Sequence, residues 1–131
     1  MKKIALLSMF VLALVLGACA PMPASAPAFP TGKFLLEGSQ DRALQFNKDG
    51  TFSALLLPGD IHLAEGTYSA KGGVFTEESN DQACISLRHY KYTFDGAKLV
   101  FSPVEVYDPA KVSCAGRAAD FNPDVTWVMA K

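Results

Sequence analysis

Tyr90-Lys91-Tyr92-Thr93-Phe94-Asp95-Gly96-Ala97-Lys98-Leu99-Val100-Phe101 reads as an alternating run, a turn and a second alternating run. Successive side chains of an extended chain point to opposite sides, so Tyr90, Tyr92 and Phe94 share one face against His89, Lys91 and Thr93. Asp95-Gly96 supplies the positive φ of a tight hairpin, after which Leu99 and Phe101 oppose Lys98. The pattern recurs on both sides of this hairpin. Phe34 and Leu36 alternate with Lys33 and Glu37, Leu44 and Phe46 with Gln45 and Asn47, and Phe52, Ala54 and Leu56 with Thr51 and Ser53. Downstream, Val104 and Val106 oppose Glu105, and Trp127 and Met129 oppose Thr126. Asn47-Lys48-Asp49-Gly50 and Lys71-Gly72-Gly73 are two further hairpin signals.

No stretch from Thr31 onward sustains a 3.6-residue apolar period with caps, so helices are expected to be short or absent. Candidate strands span 33 to 38, 42 to 47, 51 to 57, 64 to 70, 73 to 78, 84 to 94, 97 to 101, 104 to 107, 115 to 121 and 125 to 130. Short strands joined by tight turns predict an all-β fold, and closing the sheet removes its edges. The expectation is a small antiparallel β-barrel of about eight strands, with some candidates merged, short or absent. Apolar parity slips between Ile85 and Leu87 on one side and Tyr90 and Tyr92 on the other, which predicts a bulge near Arg88.

The chain opens with Lys2 and Lys3, then an almost wholly apolar run from Ile4 to Leu16, then Leu16-Gly17-Ala18-Cys19. A charged start, an apolar run shorter than the ~20 residues of a membrane span and a small-residue ending read as an export leader. The closing tetrapeptide resembles the lipobox of bacterial lipoproteins. That resemblance implies cleavage after residue 18, acylation of Cys19 and a cell-envelope protein tethered to a membrane by its lipid chains. Ala20 resembles the residues that permit sorting to the outer membrane, facing the periplasm, in Gram-negative cells. Residues 19–30 contain four prolines, mostly small side chains and no charge, and predict an extended Pro/Ala-rich tether of up to ~3.1 Å per residue. Residues 31–131 remain for one barrel domain with its own core.

Gly66-Thr67-Tyr68, the Gly-Gly turn, Cys84, the Tyr90 to Leu99 run, Cys114-Ala115-Gly116-Arg117 and Trp127 together resemble small bacterial lipocalin-like (calycin-like) β-barrel lipoproteins. The resemblance spans most of residues 31–131 and implies an antiparallel barrel. Where a lipocalin opens with Gly-x-Trp, this chain has Gly32-Lys33-Phe34.

With Cys19 assigned to the lipid, Cys84 and Cys114 are left, and an even remainder in an oxidising compartment is read as one disulfide. A loop of about 31 residues closed in this way stabilises a fold by roughly 3 to 4 kcal/mol. A redox pair or a metal site is the alternative, but there is no Cys-x-x-Cys, and only His62 and His89 are present to complete a zinc set. The resemblance places the same bridge between the strand before the Tyr/Phe run and the loop before Arg117.

The chain has 12 basic and 13 acidic side chains; loss of Lys2 and Lys3 with the leader leaves 10 basic ones and a net charge of −3. Without a basic patch, nucleic acid is not an expected partner. No Gly-x-Ser-x-Gly elbow, phosphate loop or His-Glu-x-x-His motif occurs, so neither a cofactor nor a catalytic residue is expected, and the protein is read as not an enzyme. Ser86 and His89 are an odd number of residues apart and would face opposite sides of a strand. Glu77, Glu78 and Asp81 read as a solvated hairpin end, since their spacing does not follow a calcium loop. No metal site is expected.

Tyr68, Tyr90, Tyr92, Phe94, Phe101 and Trp127 form the nearest approach to a binding signature, either lining a cup or filling a narrow barrel. Arg117 shares parity with Ala119 and Phe121 if it lies on a strand, and would then stack on Trp127 or hold an anionic headgroup. The expected ligand residues are therefore Tyr68, Tyr90, Tyr92, Phe94, Arg117 and Trp127. The leading expectation is a binding module for a small apolar or amphipathic molecule. The alternative is a protein-protein module, such as a periplasmic hydrolase inhibitor or envelope assembly factor, presenting Leu55-Leu56-Leu57-Pro58-Gly59-Asp60-Ile61.

Overall fold

Alternation makes strands but leaves every sheet with two unpaired edges, and this chain removes them by closure. The computed structural model describes residues 28–80, 88–104 and 119–131. It contains β1 (Gly32–Leu36), β2 (Arg42–Phe46), β3 (Thr51–Leu56), β4 (Ile61–Lys71), β5 (Val74–Ser79), β6 (Arg88–Phe94), β7 (Lys98–Pro103) and β8 (Thr126–Met129). Each strand pairs with the next, and β1 closes on β8 through Phe34↔Met129, Leu35↔Val128 and Leu36↔Trp127. All pairings are antiparallel, giving a closed eight-strand barrel compatible with a lipocalin-like fold.

All three glycine turns join paired strands. Gly96 has φ +101° between β6 and β7, where Asp95 accepts backbone N–H bonds from Ala97 and Lys98 at 2.9 and 2.7 Å. The strongest packing demand on a glycine is inside β4. A Cβ on Gly66 would lie 2.8 Å from Phe52 Cε1 and would run into the Glu78 carbonyl oxygen. This side-chain-free position lets β5 and the Phe52 ring close on β4.

Two candidate strands change. Ala119 and Asp120, at the end of the expected strand 115 to 121, are helical, and Phe121 lies in a bend. The parity argument for a strand through Arg117 therefore fails at its described end, while Arg117 itself lies outside the described residues. Of the candidate 104 to 107, Val104 is a bend and the rest lies outside them. Pairing from Arg88 through Lys91 is regular against β5, and Ile85 and Leu87 lie outside the described residues. The register shift that is present falls between Ala54 and Leu55 against β4.

The inner face carries Phe34, Leu44, Phe46, Phe52, Phe75, Tyr90, Leu99, Phe101 and Trp127, all buried. The N-terminal segment and the turns at 47–50, 72–73 and 95–97 mark one end of the barrel, called the near end. The turns at 37–41 and 57–60 and the connection from β7 to β8 mark the far end.

Candidate binding site

The near end is an aromatic cup, and its occupant comes from outside the barrel wall. Phe46, Tyr68, Phe75, Tyr92 and Phe101 project from β2, β4, β5, β6 and β7 because each keeps the inward parity of its strand. Phe29, which precedes β1, places its ring among all five. Its centroid lies 4.9 Å from Phe75 in a stacked pair, 4.9 Å from Tyr92 and 5.1 Å from Phe46 edge-on, 5.3 Å from Tyr68 and 6.3 Å from Phe101. Offset and edge-to-face contacts in this range contribute about 0.5 to 1.5 kcal/mol each beyond area burial. Composition places Phe29 in an extended spacer, yet its ring packs against the core. It is the only aromatic residue in the expected tether, and that was the available sequence signal.

Tyr68 is a wall residue of the cup with its polar tip tied down. Its hydroxyl donates to the Asn47 carbonyl at 2.7 Å, and its ring lies 5.5 Å from Phe75 in a stacked pair. Burial, with Asp49 second, raises the pKa of this phenol above its ordinary value. A hydroxyl bound to the backbone turns the rest of the ring into apolar wall.

The described members of the expected ligand set all belong to or pack on one aromatic core, but at different depths. Tyr68 and Tyr92 line the cup around Phe29. Phe94 packs on Phe34 at 6.1 Å, and Tyr90 sits deeper, 5.1 Å from Phe121 and 6.2 Å from Phe101. Trp127 is buried, and its indole N–H donates to the Asp120 carbonyl at 2.9 Å. Tyr90 and Trp127 therefore serve as packing in the interior, with rings filling space that a ligand would need.

At the far end, Arg42 of β2 pairs with a buried carboxylate. Arg42 Nη2 lies 2.6 Å from one carboxylate oxygen of Asp120 and 2.5 Å from the other, and Asp120 is only 6% exposed. The signal was legible, since Arg42 shares parity with Leu44 and Phe46. Glu77, expected in a solvated hairpin end, is fully buried, because it lies inside β5 with the same inward parity as Phe75. Glu78 is exposed, while Asp81 lies outside the described residues. Ser86, Cys84 and Cys114 lie outside them too. His89 Nδ1 is 2.9 Å from Thr76 Oγ1, and His62 pairs with Glu65.

The turn after β3 is ordered and partly apolar. Asp60 reaches Lys33 at 2.7 Å, and the Leu57 N–H donates to the Asp41 carbonyl at 2.7 Å. Because β2 lies between β1 and β3, the Asp60 contact lays the turn back across the outer face of β2. Leu55, expected in the exposed patch, is buried; Leu56, Ile61 and Leu63 are exposed.

No family model matches the chain, and neither a curated protein nor a solved structure does.

Proposed function

We propose that this chain is a non-catalytic module of the bacterial cell envelope, a lipocalin-like barrel held at a membrane through acylated Cys19, that binds a small apolar or amphipathic molecule. The observation that carries this reading is Phe29. The barrel wall leaves room at the near end for a whole aromatic ring that the wall does not supply. A filled barrel of this size closes on its own side chains, whereas a binding barrel admits a guest.

Position adds support. Phe29 follows Cys19 closely, and at ~3.1 Å per extended residue the cup lies within about 30 Å of the lipid surface. The outer membrane, periplasmic side, is the location proposed from Ala20. A disulfide between Cys84 and Cys114 belongs to the same proposal, as does Arg117 as a polar contact for an amphipathic ligand.

Native mass spectrometry of the full chain, exported in a bacterial host and released from its membrane in detergent, tests the reading. A small molecule retained by the protein and lost on Tyr92→Ala is the expected result; a bare protein mass overturns it.

Leu56, Ile61 and Leu63 favour a second reading as a protein-protein module, because they expose apolar area on the strand ends beside a pinned turn. Photocrosslinking from position 61 in intact cells is expected to capture one discrete envelope protein under this reading. A diffuse background would count against it.

A further inference from the structure

The ring in the near-end cup is held differently from the rings around it. Phe46, Phe75, Tyr92 and Phe101 are fixed by strands whose backbones are paired on both sides. Phe29 is held by its ring contacts and by the buried Pro30 that follows it. Among the described residues, no backbone hydrogen bond outside the strands involves Ala28, Phe29 or Pro30, and Pro30 has no N–H to donate. Ala28 is exposed while Phe29 is half-buried. Moving this ring out of the cup therefore breaks ring contacts and no ladder.

We propose that Phe29 is a built-in, exchangeable occupant of an aromatic-ring site, and that a free ring of the same size displaces it and releases the segment before Pro30. This rests on the binding reading above and names its site and ligand class. The ligand is a single six-membered aromatic ring or a molecule that presents one. Phe75 offers a face for stacking, with its plane 29° from that of Phe29. Tyr92 and Phe46 meet the occupant edge-on at 85° and 89°, an arrangement that rewards an aromatic quadrupole over a saturated chain. Tyr68, its hydroxyl taken by Asn47, contributes apolar wall.

Competition follows directly. A site filled by the chain itself presents a reduced apparent affinity, lowered by the fraction of molecules in which Phe29 is out. Binding and tether release are then two readouts of one exchange, and the free N-terminal segment reports that the cup is loaded.

The test uses the full chain in lipid nanodiscs, with ring-13C-labelled phenylalanine and tyrosine and with toluene as the probe. Phe29→Ala assigns the Phe29 signals and opens the site; Phe29→Leu keeps apolar bulk without the ring, should the alanine variant fold poorly. The expected result has three parts. Toluene gives nuclear Overhauser contacts to the Phe75 and Tyr92 rings, it binds both variants at least about tenfold more tightly than the wild type, and in the wild type it moves the Phe29 signals to those of a solvated ring. Cyclohexane at the same concentration is expected to do neither. If toluene contacts other interior rings with Phe29 unmoved, the exchange is overturned while the binding reading stands. If toluene contacts no interior ring in a folded Phe29→Leu protein, the aromatic-ring site itself is overturned, and the mass measurement above decides the binding reading separately.

Discussion

Arg42 and Asp120, 78 residues apart in sequence, meet across the far end of the barrel with their charged groups in direct contact. Asp120 has little water to fall back on, being 6% exposed, and its carbonyl also holds the buried Trp127 indole N–H at 2.9 Å. One short segment thus ties the guanidinium of β2 to the largest side chain of β8.

Replacing Arg42 by Met keeps the aliphatic stem and removes the charge partner of a desolvated carboxylate. A loss of about 1 to 3 kcal/mol is expected, read from urea unfolding. The Arg42→Met and Asp120→Asn changes should be strongly non-additive in a double-mutant cycle, since they remove the same pair.

Phe29 and Phe75 separate the plug from the wall. Phe75→Ala empties a fully buried position and is expected to cost about 3 to 5 kcal/mol. Phe29→Ala removes a half-buried ring from an unladdered segment and should cost about 1 to 2 kcal/mol. Thermal unfolding of the two variants side by side checks the order, and a larger loss at Phe29 would contradict its role as an exchangeable occupant.

Gly66→Ala puts a methyl group where Phe52 and the Glu78 carbonyl already stand. The overpacking should cost about 1 to 3 kcal/mol. It should also raise hydrogen exchange at β4 and β5 amides above the level at β1 and β2.

Acid sensitivity should appear at the hairpin turns. Backbone N–H bonds from Lys98 and then Ala97 hold the Asp95 carboxyl below its ordinary value of 3.8, and the Thr51 hydroxyl and N–H do the same for Asp49. A depressed folded pKa means a contribution present in full above about pH 3.8 and lost as pH falls through the lower folded value. At the alkaline side, the Glu37 hydrogen bond raises Lys98 above its ordinary 10.5, so its contribution is lost as pH rises beyond that value. Stability curves of Asp95→Asn and the wild type should therefore diverge above about pH 4 and converge in stronger acid.

The barrel was legible in the sequence because the forces that make it act between near neighbours. Period-two patterning selects the inner face, and a polar residue followed by glycine turns the chain; Phe94-Asp95-Gly96 and Lys71-Gly72-Gly73 needed no distant partner to be understood. Arg42 could have been placed inward from its parity with Leu44 and Phe46, yet its partner could not, because Asp120 reaches it only after β1 and β8 close the ring. The same closure decided the rest. Closing the wall sealed the face that Glu77 shares with Phe75, covered Leu55 while Leu56 stayed exposed, and took Phe29 from a proline-rich tether into a space among the rings of five strands. Local patterning says which way a side chain points, but only the closed wall determines how much room is left inside and which ring fills it.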